Sequence, residues 1–106
     1  MSTHGLFIVH RTQPGRRDDV RAVWNEHMAP AIDANDDHLA YIYSFDQADE
    51  DVIRVFQLYA SAEAAAAFLE TESYERYLAA VEGLLSGPPE LYAVTPEWSK
   101  NVGGPG

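Results

Sequence analysis

The chain has 106 residues, 46% of them hydrophobic, which is room for one domain with a modest core. A formal charge of −10, spread along the sequence, argues against nucleic acid and anionic membranes as partners, because Arg16 and Arg17 are answered at once by Asp18 and Asp19. With no cysteine there is no disulfide framework, thiolate metal site or cysteine nucleophile, and a reducing, cytoplasmic setting is the expectation. Residues 1–5 carry no basic stretch leading into an apolar run. No segment approaches the ~20 apolar residues that span a bilayer.

The β-rich run Leu6-Phe7-Ile8-Val9-His10-Arg11 predicts a first strand over residues 5–12, broken by Pro14-Gly15. Val20, Val23, Trp24, His27 and Ala31 then recur at helical spacing, with Asp18, Asp19, Arg21, Asn25 and Glu26 on the other side. Pro30 lacks an amide donor, so the helix ends or kinks just before it, and Asn35-Asp36-Asp37 makes a loop. Residues 38–45 alternate, with large groups at Leu39, Tyr41, Tyr43 and Phe45, which predicts a second strand before the acidic connection 46–51. A third strand follows over 52–60.

Ser61 is placed to cap an alanine-rich helix over 62–70, and Thr71 or Ser73 to cap another whose stripe is Tyr74, Tyr77, Leu78, Val81 and Leu85. Gly87-Pro88-Pro89 stops it. A fourth strand over 91–95 completes a domain of residues 1–100, leaving 101–106 as a flexible tail.

The order is βαββαβ, the ferredoxin-like α+β plan with a four-stranded antiparallel sheet and helices on one face. Leu6, Ile8 and His10 oppose Phe7, Val9 and Arg11; Ile53, Val55, Gln57 and Tyr59 oppose Val52, Arg54, Phe56 and Leu58. Both faces are apolar, and helices cover only one. At ~25 cal/mol per Å² the bare face would forfeit several kcal/mol in water, so a homodimer through the sheet is expected.

No phosphate-binding glycine loop, metal-ligand spacing or Ser-His-Asp arrangement is present. His4, His10, His27 and His38 lack i, i+4 spacing on any helix, so a metal site would need tertiary convergence. His27 falls in the apolar stripe and His10 in an apolar strand. Pointing between helix and sheet, either could deprotonate a phenolic ligand; hydrogen-bonded core histidines are the alternative reading. The tyrosines and tryptophans offer flat walls with polar tips for an aromatic small molecule, or simply core.

Val9-His10-Arg11, Pro14-Gly15-Arg16-Arg17-Asp18, Leu39-Ala40-Tyr41, Phe56-Gln57-Leu58-Tyr59 and the stretch 64–74 together resemble the antibiotic biosynthesis monooxygenase superfamily. The resemblance covers residues 6–96. It implies dimeric α+β barrels with one pocket per subunit, and for several members oxygenation of phenols or quinols without a cofactor. The family's glutamate and tryptophan near the third strand's end match Gln57 and Tyr59, and its following helix histidine matches Phe68. In the haem-degrading branch the required asparagine, tryptophan and axial histidine fall on His10, Phe68 and Leu78; leucine cannot ligate iron, so haem is not expected.

The expected activity is therefore a cofactor-free monooxygenase on an aromatic quinol or polyketide-like phenol. Its catalytic candidates are His10, His27 and Tyr59, and its pocket candidates Trp24, Tyr41, Gln57, Phe68 and Leu78. A non-catalytic dimeric binding protein and a cofactor-free isomerase or cyclase are the alternatives.

Overall fold

The computed structural model describes residues 3–100, so the expected flexible tail lies outside the described residues. Its elements are β1 (His4–Arg11), α1 (Arg17–His27), α2 (Ala29–Ala34), β2 (His38–Phe45), β3 (Val52–Tyr59), α3 (Ala62–Phe68), α4 (Glu72–Val81), a 3-10 turn (Glu82–Leu84) and β4 (Glu90–Val94). The strands form one antiparallel sheet in the order β2-β3-β1-β4. This is the ferredoxin-like βαββαβ plan.

Local chemistry sets the element ends. α1 stops at His27, and Pro30 sits in the first turn of α2, where its missing amide costs no helical hydrogen bond. Ser61 Oγ accepts the Ala64 amide at 3.1 Å, and Thr71 rather than Ser73 caps α4, accepting the Tyr74 amide at 3.3 Å. Arg17, at the start of α1, donates to the carbonyls of Asp46, Asp49 and Val52 and lies over the Phe45 ring, tying that helix to the β2–β3 connection. Among the described residues no helix is long and apolar enough to cross a membrane.

Leu6, Ile8, Ile53, Val55 and Tyr59 from the sheet pack with Val20, Phe68, Tyr74, Tyr77 and Val81 from the helices as the core. The pleat sends alternate residues to the helix-free face. There Ile42, Phe56, Phe7 and Tyr92 are paired in sequence across all four strands. Ile42, Phe7 and Tyr92 stay 58%, 45% and 53% exposed.

The pairing of β2 with β3 slips by one residue. His38 pairs with Tyr59 and Ala40 with Leu58, leaving Leu39 as the extra residue. His38, Tyr41 and Tyr43 therefore share the helix-covered face. The simple alternation predicted Leu39 there.

Candidate functional site

β2 is an edge strand, and its helix-covered face is roofed by Trp24 of α1 and by α2. The Trp24 indole donates to the Tyr41 hydroxyl at 3.1 Å, with ring centroids 5.6 Å from Tyr41 and 4.5 Å from Tyr43. Three rings pack against His38: Tyr59 at 4.4 Å, the same Tyr41 at 5.6 Å and Phe68 edge-on at 4.5 Å. Burial pushes the Tyr41 and Tyr59 hydroxyls well above the ordinary phenol range, so both stay protonated.

A directional hydrogen-bond chain runs through this cluster. The Asp37 amide donates to Asn35 Oδ1 at 3.2 Å, and Asn35 Nδ2 lies 2.9 Å from His38 Nδ1. His38 Nε2 lies 3.1 Å from Gln57 Oε1, which also accepts the Tyr59 hydroxyl. An amide oxygen only accepts, so His38 must carry its proton on Nε2, with the Nδ1 lone pair turned to Asn35. Burial lowers the histidine's proton affinity, opposed by the bond to Gln57 and the nearby Asp37 charge, so the ring is neutral near pH 7.

Two cavities meet at this chain. One of about 420 Å³ is lined by Ile32, Asn35, His38, Leu39 and Tyr41 among others, and one of about 290 Å³, between α2 and the α3–α4 pair, by Asn35, Ala64, Phe68 and Thr71. Asn35 belongs to the wall of both.

Of the expected residues, Trp24, Tyr41, Gln57, Tyr59 and Phe68 come together here. The two proposed bases do not join them. His10 is buried on β1 with Nε2 3.1 Å from the Tyr77 hydroxyl, and desolvation lowers its pKa to about 4. Its Nδ1 has no hydrogen-bond partner among the described residues. His27 ends α1 and turns to the Glu26 carboxylate at 2.9 Å, partly exposed and outside the core. The stripe that placed it under the helix runs out with the helix itself.

Leu78 lines a different cavity, of about 540 Å³, with Leu85, Pro88 and Pro89. Haem does not fit these residues, since Leu78 offers no ligand, His10 Nε2 faces Tyr77 and His27 faces Glu26. Among the described residues no three His, Asp or Glu side chains converge as a metal site.

Sequence reasoning missed His38 and Asn35. The signal was faint: an Asn-x-x-His pair spanning the loop into β2, legible as a site only with the Leu39 slip known.

Comparison with known proteins agrees with this architecture. The sequence model of the antibiotic biosynthesis monooxygenase family matches residues 5–80. No curated protein matches the chain. Among solved structures, a candidate antibiotic biosynthesis monooxygenase of Chloroflexus aurantiacus J-10-fl is 25% identical over 96% of this chain and 100% of that chain, with a TM-score of 0.80. Rv0793 of Mycobacterium tuberculosis is 23% identical over 92% of this chain and 98% of that one, with a TM-score of 0.80. PA3566 of Pseudomonas aeruginosa is 17% identical over 92% and 97%, with a TM-score of 0.81. A family match over residues 5–80, on a chain with the family's ferredoxin-like sheet, leaves one assignment: the chain belongs to the antibiotic biosynthesis monooxygenase family.

Proposed function

We propose that the chain is a homodimeric, cofactor-independent oxygenase of electron-rich aromatic hydroxyl compounds, quinols or polyketide-like phenols, with His38 as its base in place of His10 or His27. One observation carries this reading. A neutral histidine, fixed in one tautomer and walled by Tyr41, Tyr59 and Phe68, reaches a cavity.

The chemistry needs little more than such a base. Transfer of the substrate's hydroxyl proton to His38 Nδ1 leaves a phenolate electron-rich enough to pass an electron to dioxygen. The ring carbon and oxygen then bond, and loss of water from the peroxide gives the quinone. One atom of dioxygen enters the product and the other leaves as water, while the quinol supplies every electron. The protein's part is to orient the ring, remove the proton and exclude water, of which general base catalysis contributes roughly 10²–10⁴ in rate. Gln57 and Tyr59 hold the base, and Trp24 holds Tyr41 as a wall.

The exposed row of Ile42, Phe7 and Tyr92 supports the dimeric part of the reading, since a second copy across the helix-free face would remove it from water.

Oxygen uptake with a panel of quinols, measured on the protein and its His38→Gln variant under isotopically labelled dioxygen, tests the proposal. One dioxygen consumed per quinol, one labelled atom in the product and loss of uptake in the variant are expected. Binding without uptake would make the chain a carrier of aromatic metabolites. A product that gains no oxygen would make it an isomerase or cyclase.

A further inference from the structure

Asn35 caps the end of α2, and its side chain is held at both ends, its Oδ1 by the Asp37 amide and its Nδ2 against His38 Nδ1. With His38 Nε2 committed as donor to Gln57 Oε1, the only basic lone pair of the neutral ring lies under the Asn35 amide. That amide is also wall to both cavities. A ligand in either cavity lies against Asn35, and a hydroxyl that is to reach His38 Nδ1 must take the amide's place.

We propose that Asn35 is a catalytic exchange residue: the substrate hydroxyl displaces its amide from His38 Nδ1, and the freed Nδ2–H groups donate to the phenolate oxygen as it forms. The inference rests on the reading of His38 as the base. In the step, the substrate O–H bond breaks and an Nδ1–H bond forms. The negative charge stays on the substrate oxygen and the positive charge on the imidazolium, whose Nε2–H still donates to Gln57.

An amide suits this position. It donates to the anion without reprotonating it, and it does not hold His38 in the charged form as a carboxylate would. The other groups facing the ring are Tyr41 from β2, Tyr59 and Gln57 from β3, Phe68 from α3 and the Asp37 carboxylate from the loop. Asp37 is charged, as are Asp33 and Asp36 in the wall of the cavity that His38 reaches, and all three disfavour a second anion. The phenolate therefore depends on the imidazolium it forms beside and on the Asn35 donors.

The probe is para-nitrophenol, whose anion is coloured, titrated with the full chain at a pH where the free phenol is mainly un-ionised. The wild-type protein is expected to bind it as the anion. Asn35→Ala should lower the ionised fraction of bound phenol about tenfold, the size of one hydrogen bond to a charged group. Asn35→Asp should lower it further by repulsion. Asn35→Gln, which keeps the amide but displaces it, should share the Asn35→Ala loss, and it serves if the alanine variant folds poorly.

A readout independent of turnover comes from long-range proton–nitrogen NMR of His38. It should show the Nε2–H form in the wild type and in Asn35→Ala, where Gln57 still accepts that proton, and the imidazolium in Asn35→Asp. Equal ionisation in wild type and Asn35→Ala, with ionisation abolished in His38→Gln, overturns the role of Asn35 and leaves the base reading standing. An anion that persists in His38→Gln, or failure of the wild type to bind the phenol ionised, overturns both.

Discussion

His10 and His38 lie on the same face of the sheet, each against a tyrosine ring, yet their surroundings differ in every respect that matters to chemistry. His10 belongs to β1, the strand between β3 and β4, and is sealed beneath Tyr77 of α4 with only 4% of its surface exposed. His38 belongs to the edge strand β2, is partly open, and has both ring nitrogens partnered in a fixed direction. Burial withdraws proton affinity from both. At His10 nothing opposes it, whereas at His38 a hydrogen bond and a carboxylate do. A histidine in the middle of a sheet thus becomes core, and one at the edge beside a short helix becomes available to a ligand.

The largest effect expected on this contrast is in turnover. His38→Gln should reduce quinol-dependent oxygen uptake by roughly 10²–10⁴, the usual loss on removing a general base, while His10→Leu keeps it within a small factor. Comparable losses in the two variants, both folded by circular dichroism, would erase the distinction.

The next effect is in stability. The folded chain binds a proton at His10 only near pH 4, whereas an ordinary histidine, as in the unfolded chain, does so near 6.5. Its contribution to stability is therefore whole above about pH 6.5 and is lost as pH falls from there to about 4, by about 3 kcal/mol in all. Urea unfolding of wild type and His10→Leu across that window should diverge, the variant losing less stability on acidification. Parallel curves would show that His10 does not carry this burden.

How much of this was legible in the sequence follows from the same two strands. The β1 alternation, the Pro14-Gly15 and Pro30 breaks and the Ser61 and Thr71 caps all act locally, so strands, helices and the two sheet faces were readable. The site was half readable. Gln57 and Tyr59 kept their parity along β3, but the slip at Leu39 moved His38 onto the face that simple alternation assigned to its neighbour. His27 continues the apolar stripe on a helical wheel, but it lies in the last turn of α1, where the chain leaves for α2, and its ring turns to Glu26 instead. Asn35 reads as a turn residue, and the task proposed for it exists only once β3 brings the Gln57 side chain within hydrogen-bond reach of His38.

The sheet's other face sharpens the contrast from outside. Phe7→Glu places a charge in the middle of the cross-strand row Ile42, Phe56, Phe7 and Tyr92 and should weaken the proposed dimer about a hundredfold or more, read by sedimentation equilibrium. An unchanged mass would remove the helix-free face from the dimer. The smallest effect expected is that of Trp24→Phe, which deletes the hydrogen bond to Tyr41 at a cost of about 1 kcal/mol. It should raise KM several-fold and change kcat less, since the wall moves and the base does not. A fall in kcat alone would give Trp24 a different part.

The most direct test of the central claim is NMR of the two imidazole rings while a non-oxidisable phenol is titrated into the protein. The carbon-bound ring protons of His38 should shift saturably with the ligand while those of His10 stay where they are. Saturable movement of His10 with His38 unmoved would contradict it.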